Sequence, residues 1–140
     1  MLFLGDAIFI ENDKQETWDE SILTEPEEWT TLDNKEIISR VKNAGLVGLG
    51  GAAFPTHVKL SPPPGKPIDS VILNGVECEP FLTSDHRLML EEPAPIIEGL
   101  KIAMKVLGAK NGYIGIEDNK PDAIEVMKKI IQVSASLFLL

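Results

Sequence analysis

Residues 70–80 read SVILNGVECEP. The first five letters are a short apolar run of the kind buried in a parallel sheet, and the next six open a connection loaded with carboxylates. Downstream, HRLMLEE (86–92) predicts a helical turn, after which Pro95 opens a helix as its first residue. Ile96, Ile97, Leu100, Ala103, Met104 and Leu107 fall on the buried side of that helix, and Gly108 ends it. GYIGIED (112–118) reads as a second strand, and NKPDAIEVMKKII (119–131) as a helix capped by Asn119 with Pro121 just inside. Strand, helix, strand, helix with short loops predicts an α/β fold: a parallel sheet built on a right-handed βαβ unit extended by one helix. Ligands of such sheets lie beyond the carboxyl ends of the strands, which is where Asn74 and the VECEP loop fall.

Upstream, Asp33 is placed to cap a helix with Glu36 three residues on. Ile37, Ile38, Val41 and Ala44 supply the apolar stripe, and Gly45 suits the left-handed residue after it. Then comes GLVGLGGAAFPTHVKL (45–60), in which Gly48, Gly50 and Ala53 satisfy G-x-G-x-x-G/A. That fingerprint belongs after a strand and before a helix; here a helix precedes it and Pro55 interrupts the segment beyond it, so a dinucleotide fold is not implied. No Gly-Lys-Ser/Thr closes the run as in a phosphate-binding P-loop. Two readings remain: a flexible loop, or a main chain stripped of Cβ atoms so that a phosphate or flat ring can lie against it, with Lys59 supplying a positive charge. SPPPGKP (61–67) admits neither helix nor central strand and reads as a stiff surface loop.

Composition narrows the class. The 140 residues are 44% hydrophobic and 25% charged, ordinary for one globular domain. Residues 1–36 hold eleven acids and two bases, the whole of the net charge of −9, and the remainder is neutral. With no cluster of Lys and Arg there is no footprint for nucleic acid. A single cysteine, Cys78, excludes an internal disulfide, a CxxC pair and any thiolate-held cluster from this stretch. No apolar run reaches the roughly 18 residues that span a bilayer, so direct membrane insertion is not expected.

GLGGAAFPTHVKL (48–60), followed after a short spacer by VILNGVECEPFLTSDHRLMLE (71–91), resembles the flavin-binding domain of the 51 kDa NADH dehydrogenase subunit of respiratory complex I. Within that family it is most similar to the branch formed by the C subunits of the Rnf electron transport complexes. The resemblance runs from about Ile8 to Ile130 and implies FMN held between the glycine loop and the Asn-containing loop, with NADH stacked on its ring. Carried over, Gly48, Leu49, Gly50, Lys59, Asn74, Glu77 and Cys78 face FMN, while Gly51, Ala52, Phe54 and Glu79 face the nicotinamide nucleotide. Val76, Cys78 and Leu49 stand where the complex I subunit has aspartate, serine and arginine, which fits the Rnf-like branch better.

The resemblance further implies an NADH-linked oxidoreductase as the parent subunit, this stretch alone being inactive. It implies a place in an ion-translocating complex at the cytoplasmic face of the plasma membrane, reached through partner subunits. The family's later Gly-Gly-Glu loop and its cysteine runs for two 4Fe–4S clusters do not occur here. The expectation is therefore an incomplete domain: an acidic connector over 1–32 with a remnant strand at DAIFIEND (6–13), and a partial FMN/NADH-binding unit over 33–140. Other readings of single residues stay open. Cys78 is either a small buried side chain or a flavin contact, Glu77 and Glu79 are either contacts or surface acids, and Ser84 or Asp85 caps the turn after them. Two carboxylates on one loop, or His57 and His86, are too few or too far apart for a metal. Trp18 and Trp29 read as packing anchors.

Overall fold

The computed structural model describes residues 9, 11–15, 17, 28–49, 51–132 and 137–140. In order these form α1 (Asn34–Asn43), α2 (Thr56–Lys59), β1 (Ser70–Gly75), α3 (Ser84–Glu91), α4 (Pro93–Leu107), β2 (Asn111–Ile116), α5 (Pro121–Ile131) and β3 (Leu137–Leu139). The strands make a parallel sheet in the order β1-β2-β3, so the α/β reading holds. The expected strand over 6–13 falls largely outside the described residues, as does Trp18.

The helices bury one face of the sheet. Val71, Leu73 and Gly75 pair with Gly112, Ile114 and Ile116, and Leu137 and Leu139 continue the same face. Against it lie Met89 of α3, Ile97, Leu100 and Met104 of α4, and Ala123, Met127 and Ile131 of α5. Gly75 is required by this packing, and Gly112 sits among core side chains that a Cβ would displace. A Cβ on Gly75 would stand 2.9 Å from the carbonyl of Gly115, and one on Gly112 would stand 2.7 Å from both Met104 Sδ and Leu137 Cδ2. The other face carries a row running straight across the sheet, Ile72 beside Tyr113 beside Phe138. Ile72 is 66% exposed there. Among the described residues β1 is an edge strand, so the run expected to be buried in the sheet is covered on one side only.

Helix boundaries are set by proline and capping chemistry. Asp33 Oδ1 accepts the N–H of Glu36 at 2.8 Å, and Gly45 takes φ +66° after α1, both as expected. α4 begins at Pro93, not Pro95: both prolines fit the first turn, whose N–H groups have no partner within the helix. Gly108 closes α4 in the left-handed conformation at φ +67°. α5 has Pro121 in its first turn, but Lys120 occupies the cap position expected of Asn119 and makes no side-chain cap bond. β3, formed from the terminal apolar run for which the sequence pattern predicts no particular element, pairs parallel to β2.

Trp29 anchors the incoming segment as expected. Its indole N–H donates to Glu98 of α4 at 3.2 Å, and its ring lies 5.8 Å from the ammonium of Lys105. That ammonium also donates to the carbonyls of Trp29, Thr30 and Leu32.

Candidate functional site

The glycine loop is a closed hairpin. Val47 and Pro55 form an antiparallel bridge, Gly48 N–H donates to Phe54 O at 2.8 Å and Thr56 N–H to Leu46 O at 2.9 Å. Gly51 takes φ +87°, and Ala53 holds φ +48°, a left-handed conformation costing an L-residue about 1 kcal/mol. The described residues on either side of Gly50 therefore have a defined shape, which disfavours the reading of a merely flexible connector. From α2, Lys59 turns back across it: a Cβ built on Gly48 would lie 2.6 Å from Lys59 Nζ. The ammonium fills the space that glycine leaves open.

Gly48, Ala52, Ala53, Phe54 and Lys59 line an open pocket of about 130 Å³. That is below the roughly 300–1,000 Å³ of a complete small-ligand site, so it has room for only part of a ligand, such as a phosphate or one edge of a ring. Phe54 is 49% exposed beside it, with ring surface free to stack. Leu49 is almost fully exposed at the loop tip, and Gly50 lies outside the described residues.

The second group of expected residues lies just after β1. Asn74 Oδ1 accepts the N–H of Val76 at 3.0 Å, turning the chain as it leaves the strand. Cys78 is exposed and unpaired, so its reading as a small buried side chain is corrected. Glu79 is exposed, and its carbonyl accepts the N–H of Leu82.

Glu77 has a different occupation. Its carboxylate keeps only 4% of its side-chain exposure and accepts from Ser84 Oγ (3.1 Å) and the backbone N–H groups of Asp85 (2.8 Å) and His86 (3.3 Å). It thereby caps α3 from outside the helix, the task expected of Ser84 or Asp85. Neither of those is the cap residue; Thr83 stands there and makes no side-chain bond. Burial opposes the Glu77 charge. The N–H groups of Asp85 and His86, the Ser84 hydroxyl and the Lys120 ammonium more than offset it, so the carboxyl titrates below its ordinary range. Of the expected glycine-loop residues, Gly48, Ala52 and Phe54 thus meet Lys59 in one pocket while Leu49 and Gly51 do not line it; Asn74, Glu77, Cys78 and Glu79 share the strand-end loop, and none of them lines that pocket.

Two contributors were not among the expected site residues, although Ala53 belongs to the G-x-G-x-x-G/A pattern. Ala53 lines the pocket. Lys120 reaches the strand-end loop from the turn after β2, a placement that the sequence around it does not mark. Among the described residues no three His, Cys, Asp or Glu side chains gather as a metal-binding group, and no helix is long and apolar enough to cross a membrane. The missing Cβ of Gly48 with an ammonium beside it fits a phosphate-bearing cofactor such as FMN.

A family model described as the Nuo51 FMN-binding domain matches residues 41–137. The chain is 51% identical over 126 residues to the C subunit of the proton-translocating ferredoxin:NAD(+) oxidoreductase complex of Clostridium ljungdahlii, covering 90% of this chain and 27% of that protein. It is 51% identical over 128 residues to the C subunit of the Na(+)-translocating ferredoxin:NAD(+) oxidoreductase complex of Acetobacterium woodii, covering 89% and 28%. To the C subunit of the ion-translocating oxidoreductase complex of Erwinia tasmaniensis it is 39% identical, covering 94% and 16%. The chain thus spans little more than a quarter of the length of these relatives, or less. Among solved structures, NAD+-reducing NiFe-hydrogenase in the H2-reduced state shares 27% identity at a TM-score of 0.63, over 76% of this chain and 20% of that one. The air-oxidised state gives a TM-score of 0.65 at 23% identity, over 89% and 23%.

Proposed function

The chain belongs to the family of the Nuo51 FMN-binding domain, and from that premise we propose that it contributes to FMN-dependent exchange of electrons with NADH in an ion-translocating complex. The observation that carries the proposal is the cradle at Gly48, where Lys59 brings its ammonium to a main chain without a Cβ. When bound, FMN supplies hydride acceptance from reduced nicotinamide and release of electrons one at a time. The chain's part is to bind and orient. Lys59 neutralises the phosphate, Gly48, Leu49 and Gly50 bring main chain close to the flavin, and Asn74 offers an amide to its edge. Glu77 and Cys78 shape the strand-end loop beside it. Gly51, Ala52, Phe54 and Glu79 face the nicotinamide nucleotide, with Phe54 placed to stack on a ring. Residues 33–140 are the binding unit and 1–32 the acidic connector. In the complete complex the iron–sulfur clusters lie in parts of the subunit outside this stretch. The unit is held at the cytoplasmic membrane face by partner subunits.

Titrating FMN into the chain and into Lys59→Ala, read by flavin fluorescence, tests this. Saturable binding weakened at least about tenfold in the variant is expected, as for loss of a charge-assisted hydrogen bond. Equal binding by both proteins contradicts it.

The apolar row Ile72, Tyr113 and Phe138 favours a second reading, a cofactor-free module that docks to neighbouring subunits of the same complex. Absence of flavin binding, together with co-sedimentation with those subunits, would support it over the first.

A further inference from the structure

Lys120 is 9% exposed, a charged residue withdrawn from water for which the flavin reading has no use. Its ammonium donates to Glu117 Oε2 at 2.8 Å and to the backbone carbonyl of Glu77 at 3.3 Å, and lies 3.6 Å from Glu77 Oε2. Glu117 immediately follows β2 and Glu77 comes two residues after β1, so a single ammonium ties together the carboxyl ends of two adjacent parallel strands. Glu77 extends the tie to the first turn of α3 through Ser84, Asp85 and His86. An ion pair withdrawn from water is a poor source of net stability, because desolvation consumes most of the attraction. What such a group does provide is one preferred arrangement of the segments it joins.

We propose that Lys120 is a positioning residue for the strand-end half of the site, fixing the path of residues 76–80 and thereby the direction in which that loop meets a flavin. This rests on the reading of the loop as flavin-facing. Met in place of Lys120 keeps the bulk of the side chain and removes the charge and every hydrogen bond at Nζ. Arg keeps the charge and the donors.

The test compares the chain with Lys120→Met and Lys120→Arg in two measurements. Amide hydrogen exchange in the flavin-free proteins tracks Val76, Asp85 and His86, whose N–H groups are held by Asn74 and Glu77. FMN titration gives affinity. Lys120→Met should speed exchange at those amides by roughly tenfold, with Ile114 and Met127 in the core unchanged. It should weaken FMN binding roughly tenfold or more, the usual effect of releasing a group that orients a ligand contact. Lys120→Arg should restore most of both. Unchanged exchange at Val76, Asp85 and His86 overturns the proposal, and so does faster exchange with undiminished FMN affinity. If the unsubstituted chain binds no FMN, the flavin reading fails on its own, and the exchange data still decide whether Lys120 holds the loop. Should Lys120→Met not fold, Lys120→Gln removes the charge while leaving Glu77 and the amides it holds unsubstituted, and the same outcomes apply.

Discussion

At the scale of single residues, two glycines that both lack room for a Cβ serve different ends. At Gly48 the obstructing atom is the tip of a flexible lysine, 2.6 Å away, which can swing aside. Gly48→Ala should therefore change stability by no more than about 0.5 kcal/mol while weakening FMN binding through displacement of Lys59. At Gly75 the obstructing atom is the carbonyl of Gly115 in the neighbouring strand, 2.9 Å away. Gly75→Ala should cost about 1–3 kcal/mol, the range for overpacking a core that cannot yield. Denaturant melts of the two variants, alongside flavin titration, separate these roles; equal stability losses would show that the difference in obstructing atom has no consequence. Glu77 adds a pH signature. Its folded-state carboxyl titrates below the ordinary 4.5, so its contribution is fully present above pH 4.5 and is lost as pH falls through the lowered value. Glu77→Gln should flatten the decline in stability below pH 4.5, and an acid limb unchanged from the parent would show that the carboxylate is not held as described.

At the scale of elements, α1 leads straight into the glycine loop, and its start depends on one carboxylate. Asp33→Ala removes the bond to Glu36 N–H and should cost about 1 kcal/mol, measured by thermal or denaturant unfolding. How far such features were legible in the sequence depends on whether the deciding interaction is local. The Asp33 cap, the left-handed Gly45 and Gly108, and Pro121 in the first turn of α5 all rest on chemistry within a few residues, and all were readable. The start of α4 slipped from Pro95 to Pro93 because local chemistry permits proline at either position. Burial of Ile72 was misjudged because an edge strand and a central one share the same short apolar spelling, and only the order of the sheet separates them. In the site, the glycine hairpin and Lys59 could be singled out because composition alone betrays a close approach. The engagement of Glu77 with Lys120 could not, since it joins residues 43 positions apart through a turn whose spelling, NKP, carries no mark of the contact.

At the scale of the whole molecule, a parallel sheet ordinarily has both faces covered, and here the described helices take one. Ile72, Tyr113 and Phe138 cross the other, the two rings stacked at 5.3 Å. The chain is expected to self-associate through this face at high concentration, and Ile72→Lys should lower its weight-average mass in sedimentation with a stability change within about 0.5 kcal/mol. A clean monomer before substitution would refute that expectation. Whether this α/β unit presents a phosphate-seeking cradle to a flavin is decided by titrating the chain with FMN and with riboflavin, which differ only in the phosphate. Saturable binding of FMN is expected, at least about tenfold tighter than that of riboflavin, with the difference removed in Lys59→Ala. Equal affinity for the two flavins, or binding of neither, would show that the cradle does not seek a flavin phosphate.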